Sequence, residues 1–226
     1  MRPMKTIAVI SPHPDDESLG CGGTLLKHRT TGDELHWINI TGISVEAGYC
    51  PERVASRARE MQCVRELYGM AALHNLALPT TKLDDIPLGE IIGKISSVFE
   101  EVRPEVVYLP FRGDIHSDHK VVFDAVSACT KWFRHESIKR ILAYEVLSET
   151  DFQLTSDTAF FSPNVFVDIS DFLEKKIEIL SVYASEMGSA PFPRSDEALR
   201  ALAVLRGAAS GYRAAEAFVL LKEMLD

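Results

Sequence analysis

No stretch of this 226-residue chain approaches the roughly 18 uninterrupted apolar residues that a spanning helix needs. Its opening, MRPMKTIAVISPHPDD, has too short an apolar part for a signal peptide and no small-residue cleavage site. A cytoplasmic protein with no membrane partner is therefore expected. Cysteine is scarce: Cys21, Cys50, Cys63 and Cys129 form no C-x-x-C pair, which points to buried thiols rather than a disulfide framework. Basic residues are outnumbered, 24 Lys and Arg against 33 Asp and Glu. The resulting charge of −9 argues against a nucleic-acid partner, whose backbone requires clustered cations, though a few local arginines could serve an acidic ligand. Repeats, low-complexity segments and linker composition are absent, so residues 1–226 read as one domain. A dinucleotide fingerprint is lacking too. Gly20-Cys21-Gly22-Gly23 falls one turn inside an expected helix, whereas a phosphate loop needs G-x-G-x-x-G at the strand–helix turn; close helix–sheet packing explains these glycines better.

What is present is an alternation of strand and helix signals. Lys5 to Ser11 is short, continuous and rich in Ile and Val, the pattern of a fully buried strand. Ser18 to Thr30 reads as a helix, Glu34 to Thr41 as a strand, Pro51 to Tyr68 as a helix stopped by Gly69, and Leu73 to Leu78 as a short apolar run. Ile91 to Val102 is an amphipathic helix, Glu105 to Leu109 a strand, Asp118 to Arg134 a helix and Ile141 to Leu147 a strand. With right-handed crossovers this rhythm implies an α/β fold, a Rossmann-like three-layer sandwich with a mostly parallel central sheet. The tail is expected to add a strand at Asn164 to Ile169, a helix at Asp171 to Ser185 capped by Asp171 or Ser170, and a Pro-rich loop at 188–196. Helices near 196–206 and 213–225 then complete a helical C-terminal elaboration.

Two clusters carry chemistry. Pro12-His13-Pro14-Asp15-Asp16-Glu17 directly follows the first strand, and in open α/β sheets the ligand crevice lies outside the carboxyl ends of the strands. Asp114-Ile115-His116-Ser117-Asp118-His119 follows another central strand, with Ser117 the expected cap of the next helix. An acidic turn before a helix is common as a cap, but two histidines and two aspartates within six residues exceed what capping requires. His13, Asp16 and His119 can converge as three ligands of a divalent metal, leaving an open position as catalytic sites do. Asp15 then remains as an unligated carboxylate beside the metal, placed to accept a proton from water. His28, His36, His74 and His135 lie away from both clusters and receive no role.

These residues resemble the LmbE/PIG-L family of metal-dependent N-deacetylases, whose signature is P-H-P-D-D-E after the first strand and H-x-D-H near mid-chain. Pro12 to Glu17 matches the first motif completely and His116 to His119 the second. The resemblance implies metal ligation by His13, Asp16 and His119, with zinc the expected ion and another divalent metal the alternative. It implies Asp15 as general base, His116 as the residue that stabilises the transition state or protonates the leaving amine, and Asp118 as the group that orients His116. Arg57 and Glu60 match an R-x-x-E pattern whose arginine contacts substrate. Pro193-Arg194-Ser195, Arg206-Gly207 and Ala215-Glu216-Ala217-Phe218 look like the tail of the sugar-modifying bacterial branch, including deacetylases of the bacillithiol type. Ser117 replaces the usual proline, and Asp114 stands where some members place a tyrosine that polarises the carbonyl. Arg57, Asp114 and Arg194 are accordingly the candidate substrate contacts.

The expected activity is removal of an N-acetyl group from an amino sugar or sugar-linked small molecule. Zinc acidifies water and polarises an amide carbonyl; Asp15 takes the water proton, zinc and a protonated His116 hold the oxyanion, and either Asp15 or His116 gives the leaving amine its proton. Hydrolysis of another amide or carbamoyl bond at the same site is the alternative, and a silent binding protein is disfavoured by the intact Asp15. Loops 42–52 and 148–163 are expected to shape the pocket, and self-association is an open possibility for a soluble acidic enzyme of this size.

Overall fold

A computed structural model describes residues 3–154 and 160–225. The first five strands are β1 (Thr6–Ser11), β2 (Glu34–Gly42), β3 (Ala72–Pro79), β4 (Val106–Pro110) and β5 (Arg140–Tyr144), linked by α1 (Asp16–Thr30), α2 (Pro51–Tyr68), α3 (Leu88–Val102) and α4 (Ser117–Cys129), with a 3₁₀ turn at Leu83–Asp85. After these come β6 (Val165–Asp168), α5 (Leu173–Leu180), α6 (Asp196–Ala208) and β7 (Ala215–Glu223). The sheet runs β3-β2-β1-β4-β5-β7-β6, parallel from β3 to β5 and antiparallel where β7 joins β5 and β6. Strand order reverses at β1, whose neighbours β2 and β4 lie on either side, and this is where doubly wound sheets open a crevice at their carboxyl edge.

Strand alternation sorts the apolar residues into two cores, one on each face. Ile7, Val9, Leu35, Trp37, Val106, Tyr108, Leu142 and Tyr144 meet α1, α2, α5 and α6 on one side. Ala8, Ile10, Ile38, Ile40, Val107, Leu109 and Ile141 meet α3 and α4 on the other. Both faces of the parallel strands are thus covered, which is why they read as continuous apolar runs rather than alternating ones. No helix among the described residues is long and apolar enough to cross a membrane.

The glycines of α1 do serve close packing. A Cβ on Gly20 would lie 2.2 Å from the Tyr144 ring, and one on Gly23 2.6 Å from Ile169. Into this same stretch of α1 a buried ion pair reaches from two other elements. Glu216 of β7 accepts from the backbone N–H groups of Gly23 and Thr24 at 2.8 and 2.7 Å, and Lys176 of α5 donates to Glu216 and to the Leu19 carbonyl at 2.7 and 2.8 Å.

The tail corrects the sequence expectation. Residues 213–225 do not form a helix: Ala215–Glu223 is β7, hydrogen-bonded to β5 on one side and β6 on the other. Its Ala, Glu, Leu and Lys content favours helix by only tenths of a kcal/mol per residue, roughly. Full burial of Phe218 alone is worth about 3 kcal/mol, so tertiary pairing decides. The helix expected at Asp171 to Ser185 is shorter, Leu173–Leu180, and Phe172 at its start offers no side-chain cap. The helix expected to reach Arg134 ends at Cys129.

Candidate active site

Both motifs leave the carboxyl ends of adjacent parallel strands, β1 and β4. Pro12 is tied to β2, its carbonyl accepting from the Thr41 N–H at 3.0 Å and the Thr41 hydroxyl at 2.7 Å. The chain then turns, with Asp16 N–H donating to the His13 carbonyl and Asp16 Oδ2 accepting from His13 N–H at 2.9 Å. Asp15 sits at φ 125° and ψ −29°, a conformation that costs an L-residue roughly 1–3 kcal/mol. The turn thereby sends Asp15 and Asp16 in different directions, Asp15 to the pocket and Asp16 to the histidines.

His13, Asp16 and His119 offer ligand atoms that all lie within 4.8 Å of one another. His13 Nδ1 and His119 Nε2 are each 3.3 Å from Asp16 Oδ2. His119 Nε2 is fully buried and makes no hydrogen bond, while its Nδ1 lies 2.8 Å from Asp114 Oδ2. A buried imidazole nitrogen that makes no hydrogen bond, with a carboxylate fixing the other nitrogen, is how metal-ligating histidines are held. Two nitrogens and one carboxylate oxygen suit zinc or another divalent cation and leave an open position. A second grouping, His13 with His116 and Asp118, is less free. Asp118 already accepts from the Thr81 and Leu83 N–H groups at 2.7 and 3.2 Å, and His116 Nδ1 accepts from Asp118 N–H at 3.1 Å.

Three placements differ from the sequence reading. The cap of α4 is His116 itself, through that Nδ1 contact, and Ser117 is the first helical residue. The Asp118 carboxylate contacts His13 Nε2 at 3.0 Å, and the hydrogen bond between Asp118 and His116 runs from the Asp118 backbone N–H to His116 Nδ1. Asp114, expected at the substrate, is fully buried behind His119, with its second oxygen accepting from Thr150 Oγ1 at 2.6 Å. Sequence could not see this because Asp118–His13 is a contact across 105 residues of chain, and folding decides which way the Asp114 carboxylate turns within its own motif.

The electrostatics separate neighbouring groups. Burial pushes the Asp15 carboxyl well up, partly opposed by Arg194 and reinforced by the adjacent Asp16 and Glu17 carboxylates. Burial works the same way on Asp16, but His119 and His13 overcome it and hold Asp16 well below the usual range. Two adjacent carboxyls driven apart in this way are suited to different tasks, proton transfer and ligation. His13 is raised to about 9 and His119 to about 10, their carboxylate partners outweighing the burial that would lower them. His116 falls to about 4, chiefly through burial and then through the charge of His13 and His119.

A cavity of about 230 Å³ opens over these groups, lined among others by His13, Asp15, His116, Tyr49, Arg53 and Arg194. Arg194 Nη1 donates to Asp15 Oδ2 at 2.7 Å, and its Nε to Ser148 Oγ at 3.0 Å. Arg57 also lines the cavity but is held by Glu186 and, at 3.3 Å, by Glu60. Both loops expected to shape the pocket contribute: Ile43 and Tyr49 from 42–52, Glu149 from 148–163, although residues 155–159 of the latter lie outside the described residues. Tyr49, Arg53, Glu149 and Glu186 were not singled out by sequence; isolated loop and helix residues carry no spacing signal.

Comparison with known proteins gives a match of residues 8–130 to the PIG-L family model, described as GlcNAc-PI de-N-acetylase. The chain is similar to diacetylchitobiose deacetylase of Thermococcus kodakarensis, 28% identical over 229 residues covering 94% of this chain and 82% of the relative. It is also similar to a probable N-acetyl-alpha-D-glucosaminyl L-malate deacetylase 2 of Bacillus anthracis, 24% identical over 197 residues, 84% of each chain. The crystal structure of a conserved protein from Thermus thermophilus aligns with a TM-score of 0.77 at 27% identity, over 99% of this chain and 97% of that one.

Proposed function

The chain belongs to the PIG-L family of de-N-acetylases, and from that premise we propose that it hydrolyses the N-acetyl group of an amino sugar or sugar-linked small molecule. The observation that carries this reading is Asp15: a buried carboxyl with a raised pKa, lining the cavity beside three residues that could hold a metal. His13, Asp16 and His119 would hold zinc, which when bound polarises the amide carbonyl and acidifies water. Asp15 accepts the proton of the attacking water, and its raised pKa lets it keep that proton until the amine departs.

His116 serves the transition state as a neutral donor. Because Nδ1 accepts a backbone N–H, the neutral ring carries its proton on Nε2, where it can hydrogen-bond a developing oxyanion. Surrendering that proton would leave an imidazolate, so the proton reaches the leaving amine from Asp15. Arg194 donates to the Asp15 carboxylate and lines the same cavity, where it can meet a substrate hydroxyl or acidic group.

The test is acetate release from N-acetylglucosamine, N,N′-diacetylchitobiose and N-acetylglucosaminyl conjugates, with the free amine measured in parallel. Stoichiometric acetate and amine, lost in Asp15→Asn, is the expected result. Amine without acetate would move the activity to a different acyl group, and no hydrolysis of any compound would overturn the reading.

A further inference from the structure

Glu17, the last acidic residue of Pro12–Glu17, neither lines the cavity nor belongs to the ligand set, yet it is fully buried. Its Oε2 accepts from the Asp15 N–H at 3.0 Å. Its Oε1 accepts from the Ser18 hydroxyl at 2.7 Å and from Tyr183 Oη at 3.1 Å. Tyr183 is itself buried, and the Arg57 guanidinium lies 5.4 Å from its ring centroid. Arg57 closes the circuit with a 3.4 Å contact from Nη1 to the Pro14 carbonyl, one residue before Asp15.

We infer that Glu17 is a positioning residue for the proposed reaction: it clamps the Asp15 N–H so that Asp15 keeps its positive-φ conformation and presents its carboxylate to the cavity. An L-residue at φ 125° returns to negative φ unless its surroundings hold it there. The Asp15 carbonyl is already anchored by the first turn of α1, accepting from the Ser18 and Leu19 N–H groups at 3.0 and 2.8 Å. The N–H is the other end of the residue, and Glu17 is its partner. Tyr183 and Arg57 carry the restraint outward to α2 and the segment after α5, so the base is braced from two elements that share no motif with it.

This inference rests on Asp15 acting as the base, and the experiment keeps the two apart. Glu17→Gln retains a carbonyl oxygen for the Asp15 N–H, and the Ser18 and Tyr183 hydroxyls can rotate to suit the amide. Glu17→Met fills the same space with no acceptor. In the zinc-loaded protein with N,N′-diacetylchitobiose, Glu17→Gln should keep kcat within about fivefold of wild type. Glu17→Met should lower kcat roughly ten- to hundredfold with KM and zinc stoichiometry unchanged. Tyr183→Phe, which removes only one hydroxyl, should lower kcat by about three- to tenfold and keeps the test open if Glu17→Met folds poorly. A crystal structure of Glu17→Met should show Asp15 out of the positive-φ region, a readout that stands even if no acetate is released. Equal damage from Gln and Met, or a wild-type kcat in Met and Phe with Asp15 still at positive φ, would overturn the inference.

Discussion

Replacing Asp114 separates a metal site from an ordinary buried hydrogen-bond network. Asp114 Oδ2 lies 2.8 Å from His119 Nδ1, both side chains are fully buried, and the other imidazole nitrogen makes no hydrogen bond and faces Asp16 Oδ2 at 3.3 Å. In Asp114→Asn the amide oxygen can still accept from Nδ1–H, and the Thr150 hydroxyl can turn to accept from the amide nitrogen. The ring stays oriented but loses the negative charge that raises its basicity as a ligand. Asp114→Ala loses orientation as well and leaves Nδ1–H unpaired. Outer partners of ligating histidines are typically worth 10–100-fold in metal affinity, or about 1.4–2.8 kcal/mol. Asparagine should fall near the lower figure and alanine near the upper. Competition of zinc against a chromophoric chelator measures this directly, with thermal unfolding of the metal-free forms as the control for folding. Wild-type zinc affinity in both folded variants would refute the assignment of His119 Nε2 as a ligand atom.

Three further outcomes concern the ligand histidines, the glycines of the helices and the buried ion pair. Zinc binding should release protons and tighten as pH rises from 7 towards 9, because His13 and His119, raised to about 9 and about 10, must shed protons to ligate. The same linkage, taken in the metal-free fold, runs the other way: stability contributed by these raised histidines is complete below about 6.5 and is lost as pH climbs through their folded values. Titration calorimetry in buffers of different ionisation enthalpy counts the protons, and a pH-independent affinity would contradict the ligand set. Gly20→Ala should destabilise by about 2 kcal/mol net, overpacking against the Tyr144 ring exceeding the gain in helix propensity, whereas Gly93→Ala in α3, with no neighbour within 4 Å, should stabilise by up to about 1 kcal/mol. Equal melting temperatures for the two variants would remove the packing explanation. Lys176→Met strands the buried Glu216 carboxylate against α1 and should cost roughly 3–5 kcal/mol by denaturant titration; a loss below 1 kcal/mol, roughly the value of an exposed pair, would show that the pair is not desolvated.

Much of the architecture was legible because burial on both faces writes parallel strands as unbroken Val and Ile runs, and Gly69 marks a helix end. Strand β7 was hidden because its residues suit a helix in isolation, and only pairing with β5 and β6 makes it a strand. The three residues proposed to hold a metal could be gathered from two motifs, since both follow central strands and α/β sheets open their crevice at that edge. What lay beyond the motifs was the second layer of contacts. Asp118 reaches His13 across 105 residues of sequence and Arg194 reaches Asp15 across 179. The role proposed for His116 turns on a single nitrogen: an acceptor contact to a backbone N–H selects its neutral tautomer, and no motif records which nitrogen faces inward.

The most direct test of the central claim is reconstitution of metal-free protein with zinc while acetate release is followed in wild type and Asp15→Asn. The expected result is activity that rises with the first equivalent of zinc in wild type, and an Asp15→Asn variant that takes up the same equivalent yet releases no acetate. Acetate release by the metal-free protein at the full rate, or an Asp15→Asn variant as active as wild type, would contradict it.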